Sequence, residues 1–145
     1  MQKTFIFSVI TILMFSSFDE KKDLITNYPS SDIPNVTLDT HKWFLTTIYR
    51  DNGYTQLLTY NAFINFDSEK GSVGGNGSCN SFGGKIMIDG NTISFKNIFS
   101  TKIYCSDEQS TENEFLNKLQ KVTRYEIKGK NLLLYAGDKL VLEFV

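Results

Sequence analysis

From position 124 the chain reads "RYEIKGKNLLLYAGDKLVLEFV", three short runs of branched, aromatic and leucine residues separated by Lys128-Gly129-Lys130 and Ala136-Gly137-Asp138. A glycine between two such runs supplies the positive φ that a tight hairpin demands, so the stretch predicts consecutive antiparallel strands. "KIMIDGNTISF" repeats the device with Asp89, Gly90 and Asn91, and "HKWFLTTIYRDNGYTQLLTY" does so with Asp51, Asn52 and Gly53. In "LLTYNAFINFD", Leu58, Tyr60, Ala62, Ile64 and Phe66 alternate with a polar set that only Phe63 breaks, which predicts a strand with one buried face. A meander of seven or eight such strands loses its exposed edges by closing on itself. The expected fold is therefore mainly β: a small antiparallel, barrel-like meander, with a two-sheet sandwich as the alternative.

One helix interrupts this rhythm, predicted over about 106–122. Phe115, Leu119 and Val122 recur at helical spacing with Leu116 widening the stripe, while Thr111 and Glu114 have the spacing of a capping box. Lys118 and Lys121 fall late in the segment, where they complement the macrodipole. Glu112 and Glu114 stand two apart, diverge around the helix, and read as solvated first-turn charges. Such a helix would lid one end of the barrel or plug a sheet rather than form a bundle.

Ahead of the domain, "MQKTFIFSVITILMFSSFDEKK" has Lys3, an apolar run from Phe5 to Phe15, two serines and then charges. This predicts a secretory signal over 1–18, shorter than the roughly 20 apolar residues of a spanning helix. No cysteine follows the apolar run, so a lipid anchor on cysteine is not expected. Residues 19–35, with Pro29 and Pro34, read as a polar linker, and the domain is expected over 36–145. The localisation implied is export to the periplasm or envelope. With a net charge of -1 the chain lacks the basic excess of a nucleic-acid binder.

"GSVGGNGSCNSFGG", from Gly71 to Gly84, tests the candidate chemistries. A phosphate loop needs glycine where Cys79 stands and a hydroxyl where Ile86 stands, and the dinucleotide fingerprint fails at Asn80. Glycines in a β context instead permit bends, bulges and close backbone approach. Cys79 and Cys105 are the only thiols and His41 the only histidine, too few for a zinc set or a convincing Cys/His pair. In an exported chain an even cysteine count favours a Cys79–Cys105 disulfide, which would contribute about 3 to 4 kcal/mol in the chain-entropy model; two buried free thiols are the alternative. His41 reads as a surface or satisfied histidine. No catalytic, metal or cofactor residue is assigned, and the chain is not expected to be an enzyme.

Trp43 in the first strand, "VGGNGSCNSFGGKI", "FSTKIYC", "ENEFLNKLQKV" and the closing "NLLLYAGDKLVLEF" together resemble the META domain, the family of the bacterial heat-shock protein HslJ. The resemblance implies a compact β-barrel-like fold with a helix, exported or envelope-attached, linked to stress response and antibiotic tolerance. It points to Trp43, Gly75, Asn80, Phe82, Gly84 and Thr101, with Cys79 and Cys105, as a structural signature. Asn80 and Thr101 would satisfy backbone groups at the bend of the glycine-rich strand, and the cysteines would tie that bend to the segment before the helix. Ser81 and Lys102 depart from the large basic residue and the arginine common in the family. The function expected is that of a monomeric, non-enzymatic envelope module acting through contacts with an unidentified envelope protein. A small barrel binding one apolar ligand is the alternative, supported by an aromatic content of 14%.

Overall fold

The structure, a computed structural model, describes residues 36–53, 55–57 (backbone only), 61–106 and 108–145. The predicted signal and linker, and Leu58 and Tyr60 of the predicted strand, lie outside the described residues. After a 3-10 turn at Leu38–Thr40 come β1 (Trp43–Tyr49), β2 (Thr55–Leu57), β3 (Ala62–Asp67), β4 (Ser72–Gly77), β5 (Ser81–Asp89) and β6 (Thr92–Ser100). The helix α1 (Gln109–Leu119) precedes β7 (Arg124–Lys128), β8 (Asn131–Ala136) and β9 (Lys139–Phe144). From β3 onward each strand pairs antiparallel with the next, and β1 joins β3 on one edge and β9 on the other. The result is the expected meander closed into a ring, with β2 sharing the β1 edge beside β3.

The turn glycines do what their spacing predicts. In the hairpins closed by Asp89–Thr92, Lys128–Asn131 and Ala136–Lys139, the first loop residue is Gly90, Gly129 or Gly137, with φ of +56°, +60° and +61°. A Cβ on any of them would meet nothing, so backbone conformation rather than space selects glycine there.

Alternation sends Trp43, Leu45, Ile64, Ile93, Leu134 and Phe144 inward, and a register shift between Leu45 and Thr47 brings Ile48 in as well, all fully buried. Phe115 and Leu119 of α1 are equally buried, and the Phe115 ring meets the rings of Phe82 at 5.6 Å and Phe144 at 6.1 Å, both edge to face. Trp43, Phe66, Phe82, Phe95, Phe115 and Phe144, part of the aromatic content that suggested a ligand chamber, pack into the core. The helix is shorter than predicted, and the Thr111–Glu114 capping box does not form. Gln109 N–H donates to the Cys105 carbonyl and Glu112 N–H to that of Glu108, so the preceding segment starts the helix two residues ahead of Thr111.

Two irregularities around β6 shape the ring. Between β6 and β7 the ladder holds a single pair, Thr92–Arg124, flanked by bonds from Ile93 N–H to Thr123 O and from Tyr125 N–H to Asn91 O. In β6, the register shift opposite Gly84 marks a bulge in which Asn97 takes φ +52° and Ile98 lies over Gly84, where its side chain occupies the space of a Cβ. Gly84 is thus fixed by its neighbour strand.

Across the β1–β9 seam the Tyr49 hydroxyl donates to the Glu143 carboxylate at 2.8 Å. Burial, then this bond and the carboxylate charge, push the phenol up to about 12. An unfolded phenol titrates near 10, so the folded state holds its proton more tightly and the contribution is complete below about pH 10. It declines as pH rises from there toward 12. The melting midpoint should fall more steeply above pH 10 in the wild-type protein than in Tyr49→Phe; parallel pH profiles for the two would refute this coupling.

Candidate functional site

The glycine-rich strand ends in a turn that the hairpin rules do not cover. Between β4 and β5, Ser78 adopts φ +108°, uncommon for a non-glycine residue. Its N–H donates to Asn76 Oδ1 at 2.8 Å, and Gly77 N–H donates to the Asn80 carbonyl at 2.7 Å. These local bonds turn the chain so that the side chain of Asn80 points away from solvent; Asn80 is 1% exposed.

There its amide is fully used. Nδ2 donates to Glu112 Oε1 at 2.8 Å and to the Ile103 carbonyl at 2.9 Å, while Oδ1 accepts from Thr101 Oγ1 at 2.8 Å and Ile103 N–H at 2.7 Å. Two donors and two lone pairs exhaust what an asparagine side chain can offer. Glu112, 2% exposed, accepts through Oε2 from Asn80 N–H at 2.6 Å and Cys79 N–H at 3.2 Å. Every bond into this carboxylate comes from an N–H donor, the charge-assisted kind that is worth roughly twice a neutral bond. The disulfide Cys79–Cys105, with Cα atoms 6.2 Å apart, crosses the same turn. Three separate segments, the 77–81 turn, the 101–105 segment and the first turn of α1, thereby meet on one asparagine and one glutamate.

Glu112 corrects the expectation of a solvated charge, while Glu114 stays partly exposed, with 26% of its side chain open to solvent. Glu112 lies three residues before Phe115 on the stripe that runs on to Leu119, so the helix face that buries those residues buries it too. That placement was the available signal, a carboxylate on the apolar stripe. Glu114 instead accepts from Arg50 Nη2 at 2.7 Å and Nε at 3.2 Å. Gly77 also escaped the sequence reading; a Cβ there would stand 2.7 Å from Glu112 Cγ and Oε2, so the carboxylate occupies the room glycine leaves.

The remaining signature positions divide. Thr101 joins the cluster, but through the Asn80 side chain rather than by capping backbone directly. Phe82 packs on Phe115, and a Cβ at Gly75 would run into the Phe63 carbonyl and stand 3.0 Å from the Phe82 ring, so both serve the packing beneath the turn. Trp43 stands apart from the cluster and donates from Nε1 to the Leu38 carbonyl at 2.8 Å, holding the entry turn on the core. His41 is exposed, its ring 4.2 Å from that of Trp43. An open crevice of about 360 Å³ lies over the cluster, lined by Lys102, Tyr104, Gln109 and Asn113 with Asn80 and Glu112 beneath. Among the described residues, no group of three or more His, Cys, Asp or Glu side chains is placed to hold a metal ion, and every buried side-chain nitrogen or oxygen has a hydrogen-bond partner. Chemically, the arrangement is a brace: its polar atoms are engaged with one another.

No curated protein matches the chain. Solved structures do. A protein from Burkholderia xenovorans determined by NMR matches with TM-score 0.63 and 19% identity, over 74% of this chain and 81% of that one. A crystal structure of a DUF4847 family protein from Bacteroides vulgatus matches with TM-score 0.57 and 20% identity, over 74% of this chain and 93% of that one. At such identities the likeness speaks for the fold, and the sequence itself supplies the rest: the META domain model matches residues 36–145, and the chain belongs to the META domain family.

Proposed function

We propose that this chain is a non-enzymatic, exported META domain of the bacterial envelope, a rigid module that acts through protein contacts in stress response or antibiotic tolerance. The observation that supports it is the closure of the Asn80–Glu112 cluster. A catalytic or binding centre keeps at least one donor, acceptor or nucleophile turned toward its reactant, whereas here the carboxylate and the amide are spent on holding three segments together and both sulfurs are spent on a disulfide. The apolar run at Phe5–Phe15 supports export, and the disulfide suits an oxidising compartment.

Backbone amide NMR tests the scaffold reading. Addition of zinc or inorganic phosphate should leave the Asn80, Thr101 and Ile103 resonances unmoved, and a saturating shift at those positions would overturn it. Export is tested by fractionation, with the intact mass of the periplasmic protein reporting both cleavage and two hydrogens lost to the disulfide; a cytoplasmic, full-mass protein would defeat the location.

A further inference from the structure

Large apolar side chains exposed to solvent are concentrated in one stretch of the described residues. Met87 is 67% exposed, Phe99 69%, Ile103 64% and Tyr104 81%. The β5–β6 register sets Phe99 opposite Gly83, Lys85 opposite Lys96, and Met87 opposite Ser94 as successive outward rows. Like charges directly opposite each other in a ladder are destabilising. Among the described residues no carboxylate lies within 4.0 Å of Lys85, Lys96 or Lys102. The acids on adjoining rows are Asp89 at the hairpin tip and Asp67, which is bonded to Lys70.

We propose that the outward face of the β5–β6 hairpin, with the Thr101–Tyr104 segment beside it, docks on the surface of an anionic lipid bilayer. Unpaired lysines are drawn to an anionic leaflet, and their alkyl stems lie along apolar surface while the ammonium stays at the headgroups. Aromatic and aliphatic side chains at the same level enter the acyl boundary. A protein partner fits less well. Phe99 and Met87 stand two rows apart, about 13 Å at the usual strand rise, with the lysine pair between them, so a folded partner would need two separate pockets and carboxylates at fixed spacing. A fluid leaflet supplies both anywhere. The proposal goes beyond the protein contacts suggested above and does not depend on them.

The test uses the exported protein, after removal of its signal, carrying Phe99→Trp, which keeps an aromatic ring over Gly83, and vesicles with brominated acyl chains. One set contains equal parts phosphatidylglycerol and phosphatidylcholine, the other phosphatidylcholine alone. Trp43 is fully buried and gives a constant background, while Lys130→Trp, in the β7–β8 turn, reports any contact made by the rest of the protein. The introduced indole at position 99 should shift to the blue and be quenched in the anionic vesicles only, with Lys130→Trp unaffected. Adding Lys85→Gln and Lys96→Gln should weaken the apparent partition about 25-fold, fivefold for each lysine near a charged leaflet. Absence of quenching, equal quenching in phosphatidylcholine, or equal quenching of Lys130→Trp would overturn the proposal, as would a blue shift without vesicles, which would assign the face to a second copy of the chain.

Discussion

Glu112→Leu should lower the unfolding free energy by about 3 to 5 kcal/mol, the cost of leaving three N–H donors without their acceptor at roughly 1 to 3 kcal/mol each, part of it relieved by relaxation. Leucine fills much of the same volume, so the loss would come from what is left behind. Cys79 N–H and Asn80 N–H would lose their acceptor, and one amide hydrogen of Asn80 would face an apolar side chain. Glu112→Gln separates geometry from charge. Its oxygen can still receive the two backbone donors, but its own NH2 group would oppose Asn80 Nδ2, and a cost of about 1 to 3 kcal/mol is expected. Urea unfolding followed by Trp43 fluorescence gives both values. Against a total stability of about 5 to 15 kcal/mol for such a domain, the leucine variant should be conspicuously weaker; a loss below about 1 kcal/mol, as for an ordinary surface change, would mean that the cluster is not the brace described.

The contrast between what sequence reveals and what it hides follows from the range of the interactions. Strand alternation and the glycines at positions 90, 129 and 137 act within a few residues, so the meander was readable from local period and turn chemistry. Closure into a ring followed from the absence of any other way to cover the edges, and the β1–β9 pairing realises it. Glu112 was misread because its partner is thirty-two positions away and polar, leaving no periodic trace except its place on the stripe with Phe115. The Thr111–Glu114 capping box did not form for a related reason: the helix already begins at Gln109, whose N–H donates to the Cys105 carbonyl. Gly84 could be flagged as special but not explained from β5 alone, because its cause is the extra residue in β6. The amide, the carboxylate and the register are decided only when distant segments meet.

Replacing both Cys79 and Cys105 by serine should cost about 3.5 kcal/mol at 25 °C, the chain-entropy value for a bridge of this span, and lower the melting midpoint by roughly 10 to 20 °C. The sequence separation is 26, and the enclosed loop contains the entire β5–β6 hairpin. Two accounts of that loss make different predictions. If the bridge acts mainly by restricting the unfolded chain, its contribution is indifferent to the native hydrogen bonds beside it, and the serine pair combined with Glu112→Gln should be additive within about 0.5 kcal/mol. If it acts instead by pressing the 101–105 segment against Asn80, whose Nδ2 lies 3.4 Å from Cys79 Sγ, the two changes disrupt the same contacts and the cycle should show a coupling of about 1 kcal/mol or more. The geometry favours additivity. Asn80 holds Ile103 through both its N–H and its carbonyl, and Thr101 N–H donates separately to the Ser81 carbonyl, so the segment is fixed without the sulfurs. Urea melts of the four proteins decide the matter, and a large coupling energy would move the disulfide from a restraint on the unfolded chain to a working part of the folded brace.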